Sequence, residues 1–154
     1  MNKFMKVAID EAFKGMRADD GGPFGAVIVK DGEIIAVGHN HVVESNDPTA
    51  HAEMVAIRKA SKILGRFDLS DCEIYSQCEP CPMCFSAIHW AKMKTLYYGA
   101  TRYDAADIGF DDQYIYDVIN GKASKEQVKV VPLDHDECVA PFKEWAKKNN
   151  KVEY

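Results

Sequence analysis

No run of about eighteen consecutive apolar residues occurs in this 154-residue chain, so no segment reads as a membrane-spanning helix. The opening stretch MNKFMKVAIDEAFKGM also lacks the apolar heart of a signal peptide, because Asp10 and Glu11 stand where it would be. There is no basic excess. Nineteen Lys and Arg against 24 Asp and Glu leave a net charge of −5, and the one basic cluster, KEWAKKNNK, is dilute. A polyanionic partner such as nucleic acid is therefore disfavoured. The five cysteines are an odd number, which does not suit a disulfide framework. Together these absences lead us to expect a cytoplasmic protein whose reduced thiols bind metal or carry out chemistry.

The chain has one domain's worth of residues, and its 47% apolar content can fill a single core. Repeats and low-complexity segments are missing. Met5, Ile9, Ala12, Phe13 and Met16 recur at helical spacing, and DDGGPFG ends that helix. GAVIVKDGEIIAVGHN reads as two strands joined by an Asp31-Gly32 hairpin turn. Asp47 and Pro48 suit the N-cap and first position of a helix running to Gly65. A strand at CEIYSQ, a helix restarted by Pro82 and a strand at KTLYYGA follow. Further on, DDQYIYDVIN suits a short helix, QVKVVPL a strand, and DECVAPFKEWAKKNN a last helix begun or interrupted at Pro141. This alternation predicts an α/β fold: a three-layer α/β/α sandwich around a mixed sheet of about five strands.

The run Cys78-Glu-Pro-Cys-Pro-Met-Cys84 holds three cysteines at spacings of three. An iron–sulfur cluster would place a fourth cysteine four positions beyond Cys84, where Ile88 stands. A redox dithiol formed by Cys81 and Cys84 at a helix N-terminus is chemically reasonable, because the helix end lowers a thiol pKa. A catalytic zinc needs three protein ligands and an open fourth position. His51, in DPTAHAE, can supply the third ligand beside Cys81 and Cys84, each motif opening a helix after a strand–loop passage. Glu53 would stand by that open position as general base and then general acid. A structural zinc closed by Glu53 or Cys78 is the blander reading. Cys78 is expected to end a strand and point away, and Cys72 and Cys138 to be small buried hydrophobes. His39, His41, His89 and His135 are expected to be surface or hydrogen-bonded histidines.

His51-Ala-Glu53 followed by Pro80-Cys81-Pro-Met-Cys84 is similar to the signature of zinc-dependent nucleobase deaminases. With GGPFGAVIVKDG, SNDPTAHAE, SQCEPCPMC, DAADIGFDD and the final Glu-Tyr, nearly the whole chain resembles the cytidine-deaminase-like superfamily. Gly109-Phe110-Asp111-Asp112 and the ending tilt the resemblance toward the short bacterial guanine deaminases. It implies one Zn²⁺ per subunit held by His51, Cys81 and Cys84, and Glu53 shuttling protons while guanine becomes xanthine and ammonia. It further implies a purine-base substrate and a homodimer in which C-terminal segments (about 110–154) are exchanged. Phe24 and Trp90 are candidate stacking surfaces for the base, Asn40 and Asp112 candidate hydrogen-bonding groups, and Ala52 is counted with the substrate-contacting set. Tyr154 is a candidate to close the neighbouring site. A cytosine or nucleoside deaminase, a tRNA adenosine deaminase and a thiol oxidoreductase are the rival expectations.

Overall fold

The helix α1 (Lys3–Arg17) opens the chain, and the Asn2 side chain caps it by accepting the Phe4 and Met5 N–H groups. The computed structural model describes residues 1–123 and 127–154. These form two units, Met1–Gln113 and Tyr114–Tyr154.

In the first unit, β1 (Gly25–Lys30) and β2 (Glu33–His39) form the expected hairpin. Its turn residues Asp31 and Gly32 both have positive φ, at 51° and 77°, as the favoured two-residue hairpin turn requires. A bulge between Ile28 and Val29 shifts the register against β2. Next come α2 (Val42–Ser45), α3 (Ala52–Leu64), β3 (Cys72–Cys78), α4 (Pro82–Trp90), β4 (Thr95–Ala100) and α5 (Arg102–Asp107). The sheet order is β2-β1-β3-β4, with β1 antiparallel to both β2 and β3, and β3 parallel to β4.

Side chains alternate across the sheet, and each face has its own core. On one face Ala26, Ile28, Ala36 and Ile74 pack with Ala52, Ala56 and Ala60 of α3 and Ile88 of α4. On the other, Val27, Val29 and Tyr75 pack with Ala8, Phe4 and Met5 of α1. The three-layer α/β/α architecture is therefore as expected. Both helical layers sit very close to the sheet. A Cβ at Gly25 would run into the Ala8 carbonyl of α1, and one at Gly38 into the Ala52 carbonyl and Ala56 nitrogen of α3. The bare backbone at Gly38 lets the first turn of α3 rest directly on β2.

The sheet has four strands among the described residues, one fewer than expected. Gln127–Leu133 forms no strand, because alternating valines give a ladder only when a neighbouring strand is there to pair with. The helix expected from Asp47 begins instead at Ala52. Asp47 Oδ1 accepts the Thr49 N–H at 2.8 Å and its hydroxyl at 2.7 Å, so the acid closes a turn and His51 takes the N-cap. The helices α2 and α5 were not expected.

The second unit contains α7 (His135–Lys147), with Pro141 inside it, and most of α6 (Gln113–Ile119). None of its described residues is buried. Across the described residues no helix is long and apolar enough to cross a membrane.

Replacing Gly38 with Ala should destabilise the protein by about 1–3 kcal/mol through overpacking and lower its zinc content, because the turn that moves carries His51. Thermal denaturation with elemental analysis tests this. A variant with unchanged stability would show that the close seat of α3 is not needed.

Candidate metal centre and substrate pocket

The first turns of α3 and α4 meet, and they bring three donor atoms together. His51 is the N-cap of α3 and Cys81 the N-cap of α4; both are extended in backbone, and neither makes a side-chain capping hydrogen bond. Pro82 holds the first helical position of α4, where no N–H is needed, and Cys84 is buried in the same turn. His51 Nδ1 lies 3.5 Å from Cys81 Sγ and 3.6 Å from Cys84 Sγ. The three donors all fall within 4.8 Å of one another. Zinc bonds of about 2.3 Å to sulfur and about 2.0 Å to nitrogen, at tetrahedral angles, put sulfur and nitrogen about 3.5 Å apart. The donor set and its spacing therefore fit zinc. The two helix N-termini also favour negative charge on the sulfurs. The hydrogen bond between the thiols pulls the Cys81 pKa down and pushes that of Cys84 up, so the metal-free pair shares one proton.

Cys78, three residues earlier, does not join them. It ends β3 and its thiol approaches the Thr101 carbonyl at 3.6 Å. Burial, then the nearby Glu53 charge, raises its pKa to about 11, so it stays a thiol. The same holds for Cys72, at about 11 through burial. Cys138 is exposed, contrary to the expectation of a buried residue. Of the histidines, His39 is hydrogen-bonded as expected. Its ring bridges Glu11 Oε2 at 2.9 Å and Asp20 Oδ2 at 2.8 Å, tying α1 to the end of β2 and to the loop that follows α1.

Beside the three donors lies a cavity of about 650 Å³ in the first unit. Its wall includes His51, Glu53 and Cys81 together with Phe24, Asn40, Phe110 and Asp112. Glu53 is only 6% exposed. Burial is the largest influence on its carboxyl and raises its pKa; hydrogen bonds from its own backbone N–H and from Ser76 oppose that rise. Phe24 meets Phe110 edge to face, with ring centroids 4.9 Å apart. Asn40 is buried, and its Oδ1 accepts the Val42 N–H at 3.0 Å. That bond fixes the amide so that its NH₂ is the group left to face a ligand. Burial, then the Cys81 charge, raises the Asp112 pKa.

Three of the expected substrate residues, Trp90, Ala52 and Tyr154, are not among those lining this cavity. Trp90, at the end of α4, is 64% exposed and is not part of the cavity wall. Ala52 is fully buried, packed among the core residues of α3. Tyr154 belongs to the second unit and is 72% exposed. Sequence reasoning missed Phe110, Glu79 and Ser76. Glu79 Oε2 accepts the Arg102 N–H at 3.0 Å and so sets the start of α5 at the cavity wall. The Thr101-x-x-Asp104 capping box of α5 was the available signal for that wall.

Comparison with known proteins agrees with this geometry. The cytidine and deoxycytidylate deaminase zinc-binding region matches residues 1–100. The chain is 52% identical to the guanine deaminase of Bacillus subtilis (strain 168), over 98% of this chain and 97% of that one. The X-ray structure of guanine deaminase from Bacillus subtilis superposes with a TM-score of 0.93 at 51% identity, covering 100% of this chain and 99% of that one. A tRNA-specific adenosine deaminase of Aquifex aeolicus is 44% identical, but over 63% of this chain and 64% of its own length. Motif, donor geometry, fold and full-length similarity converge: the chain belongs to the zinc-binding cytidine and deoxycytidylate deaminase family.

Proposed function

We propose that this protein hydrolyses guanine to xanthine and ammonia, with His51, Cys81 and Cys84 holding one zinc ion and Glu53 moving the protons. The observation that carries the reading is the placement of Glu53 on the cavity wall beside three donors at tetrahedral zinc spacing. Similarity to a guanine deaminase over nearly the whole chain selects the substrate.

When bound, zinc supplies a Lewis acid that brings the pKa of water down toward about 7. Glu53, ionised, takes the proton released as water adds to carbon 2 of the purine. It passes that proton to the adjacent ring nitrogen, then takes the second proton from the added hydroxyl and delivers it to the amine, so that the C–N bond breaks as the carbon 2 carbonyl forms. Its buried position suits both tasks, because a carboxyl with a raised pKa holds a proton well enough to return it. Phe24, steadied by the edge of Phe110, offers a face for the base. The Asn40 NH₂ donates to a purine acceptor. Asp112, ionised, accepts from the adjacent ring N1–H and 2-amino group of guanine, a pair of neighbouring donors that adenine lacks.

We further propose a homodimer in which segments of about 110–154 are exchanged, with Tyr154 closing the neighbouring site. In support, Val128, Val130, Leu133, Phe142 and Tyr154 of the second unit are 65–75% exposed, an apolar surface that a second copy would cover.

Ammonia release should be seen with guanine and be absent with adenine, cytosine, cytidine and guanosine; release from cytosine but not guanine overturns the reading. Glu53→Gln should keep zinc and lose about 10²–10⁴-fold in kcat, whereas full activity would remove Glu53 from the chemistry. Light scattering should give twice the chain mass, and a monomer at assay concentration refutes the exchange. In metal-free protein the raised Glu53 pKa means that the folded state binds more protons than the unfolded one. Its contribution is full below the unfolded value near 4.5 and is lost as pH rises through the folded value. The urea midpoint of metal-free Glu53→Gln should thus fall less between about pH 5 and about pH 8 than that of the wild type, and equal slopes would contradict it.

A further inference from the structure

We infer that Ser76 is a positioning residue for the general acid–base carboxylate, an inference that rests on the role proposed for Glu53. The face that β3 turns toward α3 and α4 carries Cys72, Ile74, Ser76 and Cys78, and Cys72 and Ile74 belong to the core there. A fully apolar position is the ordinary choice on a central strand covered by helices. Ser76 is instead 2% exposed, paired in the sheet with Ala26 of β1 and Tyr98 of β4. Its hydroxyl donates to Glu53 Oε1 at 3.0 Å, with both groups buried. A strand held on both sides cannot slide, so the hydroxyl is a fixed point.

The geometry gives this bond a specific task. Glu53 stands in the first turn of α3, and its own backbone N–H also bonds its carboxyl group. In the metal-free protein the Cys84 thiol bonds the carboxyl as well; once Cys84 is a metal ligand, the backbone N–H and Ser76 are the donors left from rigid elements to restrain it. Ser76 holds Oε1 on the sheet side, which sets how the carboxyl group is turned when it exchanges protons with a substrate. A carboxyl that rotated freely would spend part of its time with neither oxygen aimed correctly, and proton transfer depends on that aim. Ser76 touches no reacting atom and does not reach the metal donors. Its effect should therefore fall on turnover, with substrate binding and metal binding left intact.

The test uses the zinc-loaded full chain with Ser76→Ala, Ser76→Thr and Ser76→Cys. Ser76→Ala should lower kcat about tenfold, the effect of one hydrogen bond to a charged group. KM for guanine should stay within about twofold, and zinc content and melting temperature should match the wild type. Ser76→Thr, which keeps the hydroxyl, should recover kcat to within about threefold. Ser76→Cys, of nearly the same shape with a weak donor, should behave like Ser76→Ala and substitutes for it if alanine fails to fold. In a crystal of Ser76→Ala the Glu53 carboxyl should adopt more than one orientation. Unchanged kcat in Ser76→Ala, equal loss in Ser76→Thr, or loss of zinc in step with kcat overturns the inference. A wild-type protein inactive on guanine, or a fully active Glu53→Gln, instead overturns the reading beneath it.

Discussion

The meeting of two uncapped helix ends is the constraint on which the site depends. The N-cap position of a helix is usually filled by Ser, Thr, Asp or Asn, whose side chain satisfies a free N–H and adds about 1 kcal/mol. In α3 and α4 that position is taken by His51 and Cys81, and neither caps its helix. Their side chains are free to turn toward one another. The helices forgo a local stabilisation, and the bound ion replaces it with a bond between elements thirty residues apart in the chain.

Everything around this junction keeps it in register. Asp47 spends its capping ability on a turn with Thr49, which delivers His51 extended into the cap position. The parallel pairing of β3 and β4 sets the chain leaving β3 on a path where Cys78 binds the Thr101 carbonyl and Cys81 begins the next helix. Two cysteines three residues apart thus differ in role because one ends a strand and the other starts a helix. Burial of Glu53 follows from the same arrangement. It raises the energy of the charged form, which suits the acid–base role proposed for it.

The metal site was legible because its spacing is local: H-x-E and P-C-x-x-C each fit within one helical turn and name their own elements. The hairpin was legible at Asp31-Gly32 for the same reason. The cavity wall was only half legible. Phe24 and Asn40 flank strand ends, which the pattern marks, and both line the cavity. Trp90 lies late in α4, where periodicity cannot say which way a side chain turns, and it is exposed. Ser76 looked like an ordinary strand residue, since its meaning comes from Glu53, which lies far from it in sequence. The strand expected at Gln127–Leu133 failed for want of a pairing partner, a fact that no window of seven residues contains.

The two close-packed glycines carry a consequence for how such a chain can change over generations. Gly25 and Gly38 touch helices on opposite faces of the sheet, and at each a single methyl group would strike backbone. Backbone cannot rotate aside as a side chain can. A lineage retaining this chemistry has almost no freedom at two sites that never meet the substrate, while the exposed positions between them can vary widely.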